Sequence, residues 1–456
     1  MQYSEFLARK QKHADNSGFD PLWIPDFLFD FQQYLVDWSL RKGRAAIFAD
    51  CGMGKTPMAL VWAQNVKQKT NKPVLIVAPL AVSQQFIGEA DKFGINAVRS
   101  REGQGLGDIT VTNYERLHYF NADDFGGIVC DESSILKNCD GSTRKTVTDF
   151  SKKLNYRLLC TATAAPNDFH ELGTSSEALG YLGSRDMMTM FFKEKISEFG
   201  VGWMNRRAFC LRGHAEEAFW RWVCSWARSC RKPSDLGFSD ERFVLPELIE
   251  VEQVVENSTP REGFLFATPA IGLREEREER RVTIKERCEL VASIVDSEKS
   301  PAVSWCQLND EGDLLEKLIP GAKQVKGNMS DEAKEEILIA FQQGQLDRLV
   351  IKPKIGCFGL NWQHCHRITT FPSHSWEQYY QAVRRCWRFG QVNPVTVNII
   401  ATEGEQGISA NLQRKATQSE EMFNSLVRCM SNELSIQQTA YGIEKEKIPS
   451  WLSSTD

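Results

Sequence analysis

The chain has 456 residues, of which 42% are hydrophobic, and a formal net charge of −5. A chain of this length can bury a large core and is expected to fold into about two to three domains. No run of about 18 apolar residues is present, which excludes an ordinary membrane-spanning helix. The first residues lack the apolar stretch of a secretory signal, and the 13 cysteines show no framework spacing. These features predict a cytoplasmic protein without a membrane partner.

A glycine-bearing loop near the beginning of the chain has the pattern of a phosphate-binding loop. The stretch Ala49-Asp50-Cys51-Gly52-Met53-Gly54-Lys55-Thr56 lies between an apolar run at 44–48, read as a buried strand, and a helical stretch that begins near Pro57. Backbone N–H groups of the turn Gly52–Gly54, which includes Met53, would bind phosphate oxygens at a helix N-terminus. Lys55 would reach the β and γ phosphates, and the Thr56 hydroxyl would bind Mg²⁺. Ala49 stands where the usual pattern has its first glycine.

Two series of alternating strands and helices divide the chain. The first runs from 29 to 182 and the second from 285 to 403, and each predicts a parallel sheet covered by helices. The fold class is therefore α/β, with two tandem lobes. The remaining segments are predicted as an N-terminal extension (1–28), a mostly helical insertion or connector (183–284) and a C-terminal helical tail (404–456).

A pair of carboxylates follows the apolar run at 127–130. Asp131 and Glu132 would lie at the carboxyl end of a buried strand, where ligands of open parallel sheets bind. We expect Asp131 to help hold Mg²⁺ and Glu132 to deprotonate an attacking water. The alternative is an acidic turn that only caps a helix.

A second group of charges lies in the stretch from Gln381 to Gln391. Arg385 and Arg388 are three residues apart and are predicted to share one helix face. Two guanidinium groups on one face can neutralise charge that develops on phosphates, as an arginine finger does. The alternative is a surface helix held in salt bridges.

In chain order these motifs resemble those of superfamily-two DEAD/DEAH-like helicases, in particular the Swi/Snf-like branch of phage or bacterial type. The matching stretches are Phe31-Gln32 with Trp38, residues 49–56, 77–93, Thr112 to Glu115, Asp131 to Asn138, Thr161-Ala162-Thr163 with Asn167, Gly356 to Asn361 and Gln381 to Gln391. Departures from the family pattern are Ser134, Ala164 and Cys357. None of them removes a group that hydrolysis needs.

The resemblance implies two RecA-like lobes with ATP and Mg²⁺ between them. Gln32 would then read the adenine edge, and Gly359 would be a further nucleotide contact. The implied function is an ATP-dependent motor on DNA, in particular duplex DNA, bound through its backbone without strong sequence preference. Phage or host replication and recombination proteins are further candidate partners, and a phage protein would act in the host cytoplasm. An RNA-directed helicase and an ATP-gated clamp with little turnover are the alternatives.

Two cysteine and histidine groups and one tryptophan-rich stretch are weaker signals. The sets Cys210, His214, Cys224, Cys230 and Cys357, His364, Cys365, His366, His374 lack the knuckle spacing of a zinc site and are expected to be incidental. The tryptophans between Trp203 and Trp226 would form the core of a small helical subdomain or, alternatively, stack on bases.

Overall fold

A computed structural model of the chain describes residues 16–138, 141–195, 208–255, 280–356, 361–373, 375–402 and 405–445. These residues form two large parallel sheets, of seven and six strands, and one two-stranded hairpin. Helices alternate with the strands in both halves of the chain. The predicted α/β class with two tandem lobes is therefore confirmed.

The first lobe is built on the seven-stranded sheet. The strands of this part of the chain are β1 (Arg44–Ala49), β2 (Val74–Ala78), β3 (Ala97–Arg99), β4 (Ile109–Asn113), β5 (Gly127–Asp131), β6 (Tyr156–Cys160), β7 (Phe192–Lys195), β8 (Ala208–Leu211) and β9 (Ala227–Cys230). The sheet has the order β3-β4-β2-β5-β6-β1-β9, while β7 and β8 pair as the antiparallel hairpin. Since parallel strands end at one edge, the ends of β1 and β5 lie on the same side, separated by β6.

Helices cover both faces of this sheet. They are α1 (Asp30–Lys42), α2 (Lys55–Thr70), α3 (Leu80–Lys92), α4 (Ser142–Ser151), α5 (Leu172–Leu179), α6 (Ser184–Phe191) and α7 (Glu216–Cys224). Helix α1 begins where the Phe29 N–H donates to Oε1 of Gln32 at 3.0 Å. It ends at Gly43, whose φ of +75° breaks the helix and turns the chain into β1.

The second lobe is built on the six-stranded sheet. Its strands are β10 (Leu248–Val255), β11 (Ala302–Trp305), β12 (Lys323–Val325), β13 (Arg348–Ile351), β14 (Arg367–Thr370) and β15 (Val395–Thr402), in the order β10-β15-β14-β11-β13-β12. The helices are α8 (Ile284–Asp296), α9 (Asn309–Leu318), α10 (Asp331–Gln342), α11 (Pro353–Gly356), α12 (Trp376–Val383) and α13 (Gln406–Lys445). This lobe has the same alternation of strand and helix as the first.

The prediction of a mostly helical connector over 183–284 is wrong for the part of it that the structure describes. Strand β9 pairs with β1 in the first sheet, and β10 pairs with β15 in the second. Strand β9 could not be recognised from the sequence because it contains the polar residues Arg228 and Ser229. In the structure both are buried and have partners. Arg228 stacks on the Trp38 ring at 4.4 Å, and the Ser229 hydroxyl donates to the Phe48 carbonyl at 3.2 Å.

The tryptophans of α7 and its surroundings belong to the core of the first lobe. Trp220 and Trp226 are 1% and 0% exposed and pack in the same cluster as Phe48. Trp220 and Trp226 are therefore not accessible for stacking on bases, and Trp222 is partly buried against the same cluster rather than in a separate subdomain. Trp203 lies outside the described residues.

Helix α13 connects the lobes a second time. It follows β15, the last strand of the second lobe, but packs on α7 and β9 of the first lobe. Its side chains Met422, Phe423, Leu426 and Met430 are buried in the first lobe's core. Although α13 spans 40 residues, none of the described helices has an apolar stretch that could cross a membrane.

Candidate active site

The loop after β1 has a backbone that only glycine fits at two positions. Gly52 and Gly54 have φ of +85° and +78°, and L side chains rarely adopt this left-handed conformation. A Cβ atom at Gly54 would lie 2.2 Å from Nε2 of Gln32. That Nε2 donates to the Met53 carbonyl at 2.9 Å. Helix α1 therefore braces a tight turn that leads into the N-terminus of α2, where backbone N–H groups favour an anion.

Lys55 is the first residue of α2 and bonds back to the loop. Its Nζ donates to the carbonyls of Ala49 at 3.0 Å and Asp50 at 3.3 Å. Burial alone lowers the pKa of Lys55, but the neighbouring Cys51, Glu132 and Asp131 raise it, and the net direction is upward. The ammonium group is therefore held in its charged form beside the loop.

Asp131, the last residue of β5, and Glu132, which follows it, are two adjacent buried acids, 5% and 4% exposed. Burial, and next the charge of Glu132, raise the pKa of Asp131 to about 7. The Thr161 hydroxyl donates to Oε2 of Glu132 at 3.4 Å, and the Tyr114 hydroxyl donates to the Asp131 carbonyl at 2.6 Å. Two buried carboxylates so close together are stable as anions only beside positive charge.

The donors at this point fit Mg²⁺. The Thr56 hydroxyl and the Asp131 carboxylate both line one cavity and supply the oxygen ligands that this cation prefers. Among the residues described, no group of three or more His, Cys, Asp or Glu side chains could hold a metal by itself. A cation here would therefore take its remaining ligands from phosphate oxygens and water. This finding covers the described members of the two cysteine and histidine sets named in the sequence analysis. Cys357 and His374 of those sets lie outside the described residues.

The second lobe contributes Arg385 and Arg388 to this cavity. The expectation that they share a helix face is wrong, because α12 ends at Val383 and both arginines lie in the turns that follow. The Arg385 carbonyl accepts from the Trp362 N–H at 2.9 Å, so a bond outside the helix replaces the next helical one. Burial, and next the charge of Arg385, lower the pKa of Arg388 to about 10. Two cations repel each other here, and an anion between them would relieve the repulsion.

One cavity of about 450 Å³ unites most of the residues predicted from the sequence, and its size suits a nucleotide. The predicted residues on its walls are Gln32, Gly52, Gly54, Lys55, Thr56, Asp131, Glu132, Arg385 and Arg388. Met53 contributes its carbonyl to the bond from Gln32, and Gly359 lies outside the described residues. The walls thus carry a phosphate loop and acids from one lobe and arginines from the other.

One end of this cavity is aromatic. Phe243, between β9 and β10, stacks on Phe389 of the second lobe with ring centroids 4.8 Å apart. It also meets Phe29 of the first lobe edge-on at 5.1 Å, and Phe27 stacks on Phe93 at 4.2 Å. All five rings line the cavity beside Gln32. Gln32 retains one N–H and one lone pair beyond its bonds to Met53 and Phe29, so a base at this end has both apolar faces and a polar edge to meet.

Phe243 and Arg384 are among the residues of this region that sequence reasoning missed. Phe243 lies in a stretch without a motif, and no pattern in the sequence indicates it. Arg384 was visible as the first half of an Arg-Arg doublet, but the motif assigned a role only to Arg385 and Arg388. In the structure Arg384 is buried and bonds to Asp50 at the beginning of the phosphate loop.

Several proteins of known name are similar to the chain, although no protein-family model matches it. It is 23% identical over 486 residues to the Bacillus subtilis protein "Putative ATP-dependent helicase/translocase YwqA", covering 92% of this chain and 51% of that protein. It is 31% identical over 180 residues to an ISWI chromatin-remodeling complex ATPase of Arabidopsis thaliana, covering 33% and 16%. It is 27% identical over 171 residues to a DNA annealing helicase and endonuclease of Mus musculus, covering 33% and 16%.

Among solved structures, the SWI2/SNF2 ATPase core of Sulfolobus solfataricus in complex with dsDNA is similar, with a TM-score of 0.41 and 17% identity. The alignment covers 90% of this chain and 98% of that chain. The chain spans about half the length of the Bacillus subtilis relative and a smaller share of the other two.

Proposed function

We propose that this chain, a relative of the SWI2/SNF2-type ATP-dependent helicases, is an ATP-driven motor that moves on or remodels duplex DNA. The resemblance to the Swi/Snf-like branch that the motif order predicted is confirmed by these relatives, while a phage origin stays a prediction. One observation carries the proposal for this chain. A single cavity joins the phosphate loop and acids of the first lobe to two arginines of the second.

ATP would lie along this cavity with its phosphates on the loop and its base at the aromatic end. The backbone N–H groups of Gly52 to Gly54 and the ammonium of Lys55 would bind the phosphates. The base would pack among Phe29, Phe243 and Phe389, and Gln32 would offer a donor and an acceptor to its edge. Bound Mg²⁺, held by Thr56 and Asp131, would neutralise charge on the β and γ phosphates.

Hydrolysis needs a base that takes the proton of the attacking water and a means to stabilise the charge on the departing ADP. Glu132 would accept a proton from water as the water oxygen bonds to the γ phosphorus and the bond to the ADP oxygen breaks. Lys55, Arg385 and Arg388 would stabilise the charge that moves onto the leaving oxygen. The arginines belong to the second lobe, so hydrolysis is efficient only when the lobes are closed.

A second cavity, of about 230 Å³, supports nucleic-acid binding on the first lobe. It lies at the carboxyl ends of β2, β3 and β4 and is lined by Arg99, Arg101 and Arg116. The buried Thr112 hydroxyl and Asn113 side-chain oxygen belong to residues that also line it, and neither atom has a hydrogen-bond partner among the described residues. Cations with unpartnered polar groups suit a phosphate backbone. The names of two relatives, an annealing helicase of DNA and a chromatin-remodeling ATPase, favour DNA over RNA.

The test is ATP hydrolysis by the purified chain alone and with duplex DNA, single-stranded DNA or RNA. We expect stimulation by duplex DNA, loss of activity in Lys55→Ala, and a fall of at least about 100-fold in Glu132→Gln with ATP still bound. Stimulation by RNA alone would replace this proposal with an RNA-directed helicase. A Glu132→Gln variant as active as the parent would instead indicate an ATP-gated clamp whose residual turnover has another source.

A further inference from the structure

A buried polar cluster joins the phosphate loop to the second lobe a short distance from the arginines of the cavity. Asp50, the first residue after β1, is 5% exposed, and Arg384 is 3% exposed. The Arg384 guanidinium donates to Oδ2 of Asp50 and, at 3.0 Å, to the Cys51 carbonyl. The Tyr380 hydroxyl donates to the other oxygen, Oδ1, which also accepts from the Cys51 N–H at 2.6 Å. One carboxylate of the first lobe therefore accepts from two side chains of the second.

Ring contacts further restrict the Arg384 guanidinium that bonds to Asp50. Its guanidinium lies 4.9 Å from the centre of the Trp387 ring and 5.8 Å from that of the Tyr380 ring. The planar group is thus held by ring contacts while its N–H groups bond across the interface. A buried ion pair of this kind is costly to break, since either partner alone would be an uncompensated buried charge.

We infer that Arg384 and Tyr380 are positioning residues. They bond to Asp50 and so place Arg385 and Arg388 correctly relative to the phosphate loop. We call these two contacts with Asp50 the grip. This inference rests on the proposed function of the cavity and adds a device to it. Arg384 is adjacent to Arg385 in the chain, and Asp50 is five residues before Lys55. The grip therefore fixes the two ends of the phosphate site relative to each other, although neither Asp50 nor Arg384 needs to touch the nucleotide.

Correct placement of Arg385 and Arg388 should stabilise the transition state of ATP hydrolysis more than it stabilises bound ATP. Nucleotide binding depends mainly on the first lobe, whose loop and Lys55 are intact without the grip. The arginines contribute as charge moves during hydrolysis, and a small misplacement of such groups can cost about 100-fold in rate. Loss of the grip should therefore lower kcat while KM for ATP changes little.

The experiment compares Asp50→Asn, Arg384→Gln and the double variant with the parent. We expect each single variant to lower duplex-stimulated kcat by about 10- to 100-fold. The double variant should be no slower than the slower single variant, because the two changes remove one interaction. Arg384→Lys should recover part of the loss. A multiplicative effect of the two changes, or an increase in kcat, would overturn the inference.

A matched control exists at the same interface. Arg99 of the first lobe and Glu335 of the second form an ion pair at 3.7 Å, with the Glu335 side chain 36% exposed. Glu335→Gln also converts an acid to an amide between the lobes, but it leaves the Asp50 cluster intact. We expect it to keep the parent's unstimulated kcat, whereas Asp50→Asn should lower the unstimulated kcat as it lowers the stimulated one. A loss equal to that of Asp50→Asn would show that the lobes respond to any lost charge, and would overturn the specific role of Arg384.

A second readout does not depend on hydrolysis. In the nucleotide-free protein, amide hydrogen exchange should rise in Asp50→Asn both at 50–56 and at 384–390, and Glu335→Gln should change neither segment. If the parent does not hydrolyse ATP under any condition but Asp50→Asn shows this paired rise, the proposed function is refuted and the coupling through Asp50 is kept. Exchange that rises at 50–56 alone would refute the grip, because the two segments would then not be coupled.

Discussion

Glu132, the proposed base, has an energetically unfavourable backbone conformation. Its φ of +51° is left-handed, and for a residue with a Cβ this conformation costs about 1–2 kcal/mol. Asn71 is the only other described residue besides glycine with a positive φ, and it ends α2 on the surface of the lobe. At Glu132 the strain occurs instead at the end of a buried strand, beside the cavity. Strained residues of this kind are typical of functional sites.

The strain at Glu132 can be measured by comparing Glu132→Gly with Glu132→Ala. Both variants lack the carboxylate, so they differ only in whether a Cβ must occupy the left-handed region. We expect the glycine variant to be more stable by about 1 kcal/mol, less than the full strain because glycine also gains freedom in the unfolded chain. Denaturant unfolding of the nucleotide-free proteins provides the measurement. An alanine variant of equal or greater stability would show that the backbone is not strained.

Phe243 should determine affinity for the base but not for the phosphates. Its ring stacks on Phe389 and meets Phe29, so it closes the aromatic end of the cavity from a segment between the sheets. Stacking on a base contributes about 1–3 kcal/mol. We expect Phe243→Ala to weaken ATP binding about 10-fold or more, with tripolyphosphate binding unchanged. Phe209→Ala, which removes an exposed ring in β8, is the control. Equal weakening for both ligands would place the effect of Phe243 outside base recognition.

At the scale of elements, helix α12 contacts three separate stretches of the first lobe, since its Tyr380 bonds to Asp50 and its Glu377 bonds to two further stretches. Its Glu377 bonds to Lys137, which ends the 3-10 helix after Glu132, and accepts from the Thr163 hydroxyl at 3.3 Å. Thr161, two residues before Thr163, donates to Glu132. A continuous set of contacts therefore runs from the proposed base to the second lobe.

Glu377→Gln should weaken the response to nucleic acid more than unstimulated hydrolysis. Glu377 does not line the cavity, so the substitution leaves the phosphate loop and both arginines in place. We expect the stimulation by duplex DNA to fall about fivefold or more, since a coupling of 1 to 3 kcal/mol corresponds to about 5- to 150-fold. The ratio of stimulated to unstimulated kcat is the measurement. A proportional fall in both rates would indicate damage to the site rather than to the coupling.

Helix α13 should stabilise the first lobe although it follows the second in the chain. Leu426 is 1% exposed within the first lobe's core. Truncating a buried leucine leaves a cavity and costs about 2–5 kcal/mol. For Leu426→Ala we therefore expect faster amide exchange in β9, which α13 contacts, and unchanged exchange in β11 of the second lobe. Faster exchange in β11 alone would show that α13 belongs energetically to the lobe from which it emerges.

Some strands could be predicted from their own residues, whereas others are strands only because of the strands with which they pair. Strands β1, β2, β5 and β6 are largely apolar runs between turn residues, and the structure places them where that pattern indicates. Strand β9 has only four residues, two of them polar, and β10 alternates with exposed acids such as Glu250 and Glu252 at a sheet edge. Neither pattern differs locally from a loop or helix surface. Their identity as strands comes from partners far along the chain.

The whole molecule adds what no local pattern contains, namely which groups of the two lobes meet. Those cavity residues that were predicted each belong to a motif with its own local meaning. The contact of Asp50 with Arg384 joins residues 334 positions apart, and that of Lys137 with Glu377 joins residues 240 apart. A single sequence shows both members of each pair but not their pairing. Closure of the two lobes is therefore a property of the folded chain, not of any motif.

Because both lobes of one chain form the cavity, two defective chains should not complement each other. Lys55→Ala removes the loop lysine of the first lobe, and Arg388→Ala removes an arginine of the second. If the arginine acts on the nucleotide bound by its own chain, an equimolar mixture of the two variants contains no complete site. We therefore expect the mixture to hydrolyse ATP no faster than the average of the separate variants, with and without duplex DNA.

The control for this mixture is each variant combined with an equal amount of parent protein. Such mixtures should retain about half of the parent's activity if every chain works alone. Recovery of activity in the mixture of Lys55→Ala with Arg388→Ala would mean that one chain lends its arginine to the loop of another. The contacts of Asp50 with Tyr380 and Arg384 within one chain argue against that outcome, because they already hold the arginine turn against the chain's own phosphate loop.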